Sequence, residues 1–179
     1  FIDSVSMKTN YKFSFDNFIV GDSNRMPYAA SKRICEKNSL AYNPLFIHGD
    51  VGMGKTHLLN AMAIDLKANF PYLKIVMMSA ERFMYQFIKS IRLKETIKFK
   101  DQFRSIDILL IDDIQFIGGK DSTQEEFFYT FNELINQGKQ IIISSNKSPV
   151  DLLSLDEKLK SRLSGGLVVD FLPTNYELR

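Results

Sequence analysis

One stretch of the sequence combines glycines with a lysine and a threonine at the spacing that phosphate binding requires. It runs from Gly49 to Thr56, reads GDVGMGKT, and fits the pattern G-x-x-x-x-G-K-[ST] in full. Gly49, Gly52 and Gly54 let the backbone turn tightly, so that successive N–H groups can surround a phosphate. Lys55 offers a positive charge to the β- and γ-phosphates, and Thr56 offers a hydroxyl to Mg²⁺. Unless this is a glycine turn with an incidental lysine, the stretch predicts a site for ATP or ADP with Mg²⁺.

Two adjacent aspartates, Asp112 and Asp113, follow directly on the apolar run from Ile108 to Ile111. Neighbouring carboxylates at the end of a buried strand repel each other and lose hydration, which is costly unless a cation compensates. We assign Asp112, together with Thr56, to the Mg²⁺ ion, directly or as a near neighbour. Asp113 is then the group that orients or deprotonates the attacking water. A pair of solvated turn aspartates is the alternative.

Two further polar residues suit phosphoryl transfer. Asn146 ends the segment Ser144-Ser145-Asn146 after another apolar run, where its amide could contact the γ-phosphate or the attacking water. An asparagine that caps a turn is the alternative. Arg162, in the stretch KLKSRL, could stabilise the charge that develops during phosphoryl transfer, in cis or on a neighbouring subunit. An arginine that only faces solvent is the alternative.

Short continuous apolar runs alternate with amphipathic stretches along the chain. Continuous apolarity predicts strands that are covered on both faces, as in a parallel sheet. The predicted strands are Leu45 to Ile47, Ile75 to Met78, Ile108 to Ile111, Ile141 to Ile143 and Leu167 to Phe171. Helical spacing predicts helices over Lys55 to Phe70, Glu81 to Leu93, Lys94 to Phe103, Thr123 to Asn136 and Leu155 to Leu163. The alternation predicts an α/β doubly wound fold with ligands at the carboxyl ends of the strands, where each motif falls.

The bulk numbers exclude several classes of protein. The 179 residues are 45% apolar and 25% charged, which fits one globular domain. A net charge of +2 is too small for duplex DNA binding to follow from composition alone. The single Cys35 permits no internal disulfide, and His48 and His57 are too few for a zinc site. Because no apolar run reaches ~18 residues, we expect a cytoplasmic protein without a membrane span.

Several segments together resemble one family. They are YKFSFDNFIVG, NRMPYAAS, GDVGMGKTHL, ILLIDDIQFIGGK, TQEEFFYTFNEL, IIISSN and KLKSRL. In this order they resemble the AAA+ domain of the DnaA family of bacterial chromosomal replication initiators, from about Tyr11 to Arg179. Many ATPases share the phosphate-binding pattern, whereas DDIQF followed by QEEFF is far more specific. The resemblance implies a P-loop AAA+ core over residues 11–179, with helices on both faces of a parallel sheet, behind an N-terminal extension at residues 1–10.

The resemblance also implies roles for individual residues. The segment from Phe13 to Gly21 would lie near the adenine, Asp113 would be the catalytic carboxylate, and Asn146 would sense the nucleotide. Arg162 would reach the ATP of the next subunit, so that ATP drives a homo-oligomer at the replication origin. Hydrolysis of ATP would be slow and would act as a switch.

The helix pair from Glu81 to Arg104 would be the segment specific to initiators, with Ile88 and Lys89 facing single-stranded DNA. Lys120 lies in a loop that the resemblance places near the same strand. In this segment basic side chains are interspersed with aromatic and apolar ones, and such sets attract phosphates and pack on bases. A helix pair with a solvated basic face is the alternative.

The family continues into a small helical lid and a helix-turn-helix domain, which the sequence does not show. We therefore expect a fragment of a longer chain that does not recognise origin boxes by itself. Its partners would be further copies, single-stranded DNA, and a replicative helicase, a loader or a regulator of hydrolysis. Two related functions stay open: a DnaA-like regulator that promotes hydrolysis on an initiator, and a helicase loader. A metabolic P-loop kinase would need an acceptor pocket that the sequence does not indicate.

Overall fold

The computed structural model describes residues 10–36 and 42–172. The proposed extension at 1–10 therefore lies outside the described residues except for Asn10, as do the last seven residues of the predicted core. None of the helices in the described ranges has the length and apolarity that a membrane span needs. The strands are β1 (Leu45–His48), β2 (Ile75–Ser79), β3 (Ile108–Asp112), β4 (Gln140–Ser145) and β5 (Leu167–Asp170). The helices are α1 (Arg25–Cys35), α2 (Lys55–Asn69), α3 (Ala80–Arg92), α4 (Thr96–Arg104), α5 (Asp121–Asn136) and α6 (Glu157–Leu163), with 3₁₀ turns at Tyr11–Phe13, Ile114–Ile117 and Pro149–Asp151.

The five strands form one parallel sheet in the order β2-β3-β4-β1-β5. The continuous apolar runs predict parallel pairing, and the structure confirms it. Strand β4 lies between β1 and β3, with Ile142 beside Leu45 and also beside Leu110. Neighbouring strands lie about 5 Å apart, so the ends of β1 and β3 are separated by roughly 10 Å at the same edge of the sheet. Any site built from both ends must therefore cross the end of β4.

Side chains that alternate along each strand pack on opposite faces of the sheet. Leu109 and Ile111 belong to a core with α3, α4, α5 and α6, whereas Ile108 and Leu110 belong to a core with α1 and α2. Helices thus cover both faces, as the sequence predicts.

Three helices of the first core meet at the buried ring of Phe83 on α3. The centroid of this ring lies 5.6 Å from that of Phe99 and 5.3 Å from that of Phe103, both on α4. It also lies 5.3 Å from the centroid of Phe127 on α5. Edge-to-face pairs of this kind add to the stabilisation from apolar burial. They hold the helix pair α3 and α4 against the body of the protein.

The helix boundaries differ from the sequence predictions for identifiable reasons. Helix α4 begins at Thr96 rather than Lys94, because Lys94 has a φ of 57° and interrupts the helical backbone. Helix α6 begins at Glu157 rather than Leu155, because the side chain of Asp156 caps it. Helix α1 is not among the predicted helices. Its first turn contains Pro27, which a helix tolerates there since no intrahelical N–H bond is lost.

Candidate functional site

The loop between β1 and α2 has the backbone conformation that a phosphate loop needs. Gly54 has a φ of 103°, in the left-handed region that residues with a side chain rarely adopt, and it is the N-cap of α2. The first N–H groups of α2 therefore have no intrahelical partner and are free for an anion. A Cβ atom at Gly49 would lie 2.8 Å from the Cβ of Phe171, so only glycine fits beside that ring.

Lys55 is buried although it carries a positive charge. Its side chain is 7% exposed, and its Nζ donates hydrogen bonds to the carbonyl oxygens of Gly49 and, over 2.8 Å, of Asp50. Burial lowers the pKa of Lys55, while the negative charges of Asp113 and Asp112 act in the opposite direction. The amine is thus held inside the loop, where it can exchange backbone carbonyls for phosphate oxygens.

Asp112 joins three elements of the fold. One carboxylate oxygen, Oδ2, accepts a hydrogen bond from Oγ1 of Thr56 over 2.9 Å, and the other, Oδ1, accepts one from Oγ of Ser144. Thr56 lies in the first turn of α2 and Ser144 lies on β4, so this network spans the gap from β1 to β3. Burial raises the pKa of Asp112, and the two hydroxyl hydrogen bonds oppose this effect. The structure therefore brings the two residues that we assign to Mg²⁺ into direct contact.

Asp113 turns the chain sharply out of β3. Its φ of 59° lies in the left-handed region, which aspartate tolerates better than most residues with a side chain. Its backbone N–H donates to Oγ of Ser144 over 2.9 Å. The consequence is that the two adjacent carboxylates have different surroundings: Asp112 is buried, and Asp113 is only half-buried.

Gln115 connects Asp113 to Asn146. Its Nε2 donates to Oδ1 of Asp113 over 3.3 Å, and its Oε1 accepts from the backbone N–H of Asn146 over 3.2 Å. The side-chain oxygen of Asn146 is buried and has no hydrogen-bond partner within the described residues. A buried acceptor in this state calls for a donor from a ligand or a water molecule.

Two residues of this network are missing from the predicted site. Ser144 enters the sequence argument only as part of a polar strand end, and Gln115 only as a letter in the motif DDIQF. Each is a polar residue that comes shortly after a predicted buried strand, and this signal could have indicated both as site residues. Their actual partners depend on β4 lying between β1 and β3, which local sequence does not reveal.

The predicted adenine segment lies beside the first turns of α2. The ring of His57 contacts Phe13 and Phe18, with centroid separations of 5.2 and 5.0 Å. The side chain of Asn60 exchanges hydrogen bonds of 3.0 and 2.6 Å with the backbone of Asn10. Phe13 keeps 40% of its surface exposed. This aromatic side chain is therefore available to a flat ligand next to the phosphate loop.

The residues predicted to contact DNA lie on two adjoining segments. Ile88 is 42% exposed and Lys89 is exposed, and both line a cavity of about 410 Å³ along the outer face of α3. Helix α3 packs against the turn Ile114–Ile117, and this turn leads to the exposed Lys120 just before α5. Apolar and basic groups therefore occur together on this side of the molecule, as contact with single strands requires.

Arg162 lies on the exposed side of α6, whereas Leu159 and Leu163 of the same helix are buried. Its position thus makes the guanidinium available to another molecule. The role that the resemblance gives Arg162 stays a prediction.

A parallel sheet with a phosphate loop after β1 and an acidic pair at the end of β3 defines a P-loop domain. The model of the bacterial DnaA ATPase domain matches residues 9–170. The chain therefore belongs to the DnaA ATPase domain family, which confirms the resemblance seen in the sequence.

Individual proteins agree with this assignment. The chromosomal replication initiator protein DnaA of Cereibacter sphaeroides is 52% identical over 168 residues, which cover 94% of this chain and 37% of that protein. Domain III of the Thermotoga maritima replication initiation protein DnaA superimposes with a TM-score of 0.91 and 38% identity, covering 96% of this chain and 71% of that one. A replication initiator DnaA bound to AMPPCP and single-stranded DNA gives a TM-score of 0.89 and 37% identity, covering 96% and 53%. The chain thus spans little more than a third of the length of the curated relative.

Proposed function

We propose that this chain is the ATP-binding core of a bacterial chromosomal replication initiator and works in the cytoplasm. Residues 11–179 would be the nucleotide-binding core, and residues 1–10 an extension ahead of it. The observation that carries the proposal is the direct contact of Thr56 with Asp112 across the sheet. It joins the phosphate loop to the acidic pair within a chain that matches the DnaA family over residues 9–170.

Separate groups of residues would hold the phosphates, the adenine and the Mg²⁺ ion of the nucleotide complex. The backbone of the loop from Gly49 to Gly54 and the amine of Lys55 suit the phosphates, and the exposed ring of Phe13 suits the adenine. Thr56 and Asp112 have the oxygen ligands that Mg²⁺ prefers. When bound, Mg²⁺ would neutralise negative charge on the phosphates. That a DnaA structure contains AMPPCP supports an adenine nucleotide as the ligand.

Hydrolysis would use the half-buried pair Asp113 and Asn146. Asp113 would accept the proton of the attacking water, which adds to the γ-phosphorus as the bond to the ADP oxygen breaks. The unpartnered side-chain oxygen of Asn146 would accept a hydrogen bond from the same water. Gln115 would keep the two residues in a fixed relation. A slow reaction of this kind would act as a switch between the ATP and ADP states.

Single-stranded DNA would lie along the outer face of α3, on Ile88 and Lys89, with Lys120 beside it. Exposed apolar side chains, among them Tyr85 at 56% exposure, could pack on bases while the lysines neutralise phosphates. The relative that is bound to single-stranded DNA supports this partner. The function would be ATP-dependent assembly at the origin with opening of the strands.

Fluorescence anisotropy of labelled oligo-dT, in ATP and in ADP across a salt series, tests the proposal. We expect binding that needs ATP, weakens with salt and grows with oligonucleotide length. Lys89→Ala and Lys120→Ala should each reduce the slope of log affinity against log salt by about 0.7, the contribution of one phosphate contact to a single strand. Arg33→Ala, an exposed cation on α1 and therefore on the opposite face of the sheet from α3, should leave the slope unchanged. No binding in either nucleotide, by a protein that still binds ATP, would favour the regulator or the helicase loader.

Arg162→Ala should separate nucleotide binding from assembly. We expect an unchanged affinity for ATP, because Arg162 is exposed on α6, and ATP-dependent assembly that is weaker by about 30-fold, as for a central interface arginine. Analytical ultracentrifugation measures assembly of the protein in ATP and in ADP, and isothermal titration measures its affinity for ATP. Lys158→Ala is the matched control, since Lys158 is an exposed cation on the same helix and lies over the ring of Phe128. An Arg162→Ala protein that assembles like the parent would exclude a role in trans.

A further inference from the structure

A buried glutamine near the start of α5 connects two loops that belong to different parts of the proposed function. Gln124 is 4% exposed, and its Nε2 donates hydrogen bonds to the carbonyl oxygens of Ile117 and Ser154, both over 2.9 Å. Its Oε1 accepts a hydrogen bond from the backbone N–H of Asp156, also over 2.9 Å. Both amide hydrogens and the amide oxygen are therefore engaged with loop backbone.

The two loops also touch each other directly. The N–H of Gly119 donates to the carbonyl oxygen of Ser154 over 3.0 Å. A Cβ atom at Gly118 would lie 3.0 Å from the Cβ of Ser154, so the approach leaves little room for a side chain. Since the side chain of Gln124 bonds to both loops and a backbone bond from Gly119 to Ser154 joins them directly, they form one unit.

Each loop leads to a residue with a different proposed partner. The first contains Gly118 and Gly119 and ends at the exposed Lys120, for which we propose contact with single-stranded DNA. The second ends at Asp156, whose side chain accepts from the N–H of Lys158 over 2.8 Å and caps α6. Helix α6 carries Arg162, for which we propose contact with a neighbouring subunit. Gln124 thus binds the residue that fixes the start of this helix.

We propose that Gln124 is a positioning residue that couples DNA contact at Lys120 to subunit contact at Arg162. The proposal rests on the function proposed above for these two residues. When DNA fixes the position of Lys120, the joined loops fix the direction in which α6 leaves Asp156. The Arg162 side chain is then held in one place relative to the neighbouring subunit. By thermodynamic reciprocity, assembly must strengthen DNA binding by the same factor by which DNA strengthens assembly.

The chemistry at this position requires an amide. Glutamate has nearly the shape of glutamine, but its oxygen in place of Nε2 would face two carbonyl oxygens with no hydrogen to share. The remaining oxygen could still accept from the N–H of Asp156. Gln124→Glu should therefore remove both side-chain hydrogen bonds, to Ile117 and to Ser154, and leave the two loops joined only by the backbone bond from Gly119 to Ser154, without creating a cavity.

The experiment measures a coupling factor, which is the ratio of ATP-dependent assembly constants with and without saturating oligo-dT. In the parent protein we expect a factor within the range of roughly 5 to 150 that coupled sites show. In Gln124→Glu we expect it to fall to near 1 while the affinity for ATP stays unchanged. Gln137→Glu makes the same chemical change at an exposed residue after the end of α5 and should keep the parent factor. A role in folding alone would lower the melting temperature without changing the coupling factor of the folded protein.

The outcomes separate this inference from the proposed function. If Lys120→Ala weakens DNA binding and Arg162→Ala weakens assembly, but Gln124→Glu keeps the parent coupling factor, the inference is wrong and the function stands. If neither alanine variant has an effect, the proposed function fails first, and the inference fails with it. If Gln124→Glu does not fold, Gly118→Ala gives the answer, since its methyl group would lie 3.0 Å from the Cβ of Ser154 and press the two loops apart. We expect that variant to lower the coupling factor, and an unchanged factor would overturn the inference.

Discussion

Replacing Lys55 with alanine is expected to reduce the affinity for ATP by at least about 100-fold. Lys55 is the only cation inside the loop among the described residues, and its amine already makes two hydrogen bonds there. Each hydrogen bond between a charged group and a phosphate oxygen contributes about 1.5–3 kcal/mol, so losing two of them costs about 3–6 kcal/mol, which exceeds the roughly 2.8 kcal/mol of a 100-fold change in affinity. Isothermal titration with ATP and with ADP measures the loss.

The control for this variant is Lys74→Ala, because Lys74 is an exposed lysine that precedes β2 at the opposite edge of the sheet. It should bind ATP like the parent protein. Melting curves of both variants without nucleotide show whether the fold is kept. Parent-like ATP affinity in a folded Lys55→Ala protein would contradict the assignment of the loop from Gly49 to Thr56 as the phosphate site.

Replacing Asp113 with asparagine is expected to reduce the rate of ATP hydrolysis by ~10²–10⁴-fold, the usual contribution of a general base. Asparagine suits this position because it tolerates the left-handed backbone, where Asp113 has a φ of 59°. Its side-chain oxygen can still accept the hydrogen bond from Gln115. The substitution therefore removes the charge and the proton acceptor and leaves the geometry in place.

Single-turnover hydrolysis with enzyme in excess over ATP measures this rate, and titration with a non-hydrolysable analogue measures binding. Binding should stay within a few-fold of the parent value, so that the loss falls on the chemical step. Asp101→Asn, an exposed aspartate on α4, is the matched control. Hydrolysis at the parent rate by Asp113→Asn would move the catalytic role to another residue.

The elements of the core could be predicted because their signals are local. Runs such as Ile108 to Ile111 are apolar at every position, and a strand buried on both faces needs that pattern. The phosphate loop could be found from eight residues for a similar reason, since its glycines and its lysine act within one turn of chain. The structure confirms the α/β fold. It places Thr56 against Asp112, and their joint assignment to Mg²⁺ stays a prediction.

The rest of the site depends on contacts between distant parts of the chain. Ser144 bonds both to the side chain of Asp112 and to the backbone of Asp113, which lie 32 and 31 positions before it. That relation exists only because β4 pairs with β3, and no local pattern fixes strand order. The roles of Gln115 and Gln124 are hidden for the same reason, since each bonds to a loop about thirty residues further along the chain.

The hydroxyl groups around Asp112 have a consequence for the entropy cost of binding a ligand. A free hydroxyl rotates among several orientations, and binding a ligand must select one of them. Thr56 and Ser144 both direct their hydrogens at the same carboxylate, so their rotors are fixed when the chain folds. The lone pairs of Thr56 consequently already have one direction in the folded chain. The ordering entropy of these groups is lost during folding, so a nucleotide that binds here would meet hydroxyls that are already oriented.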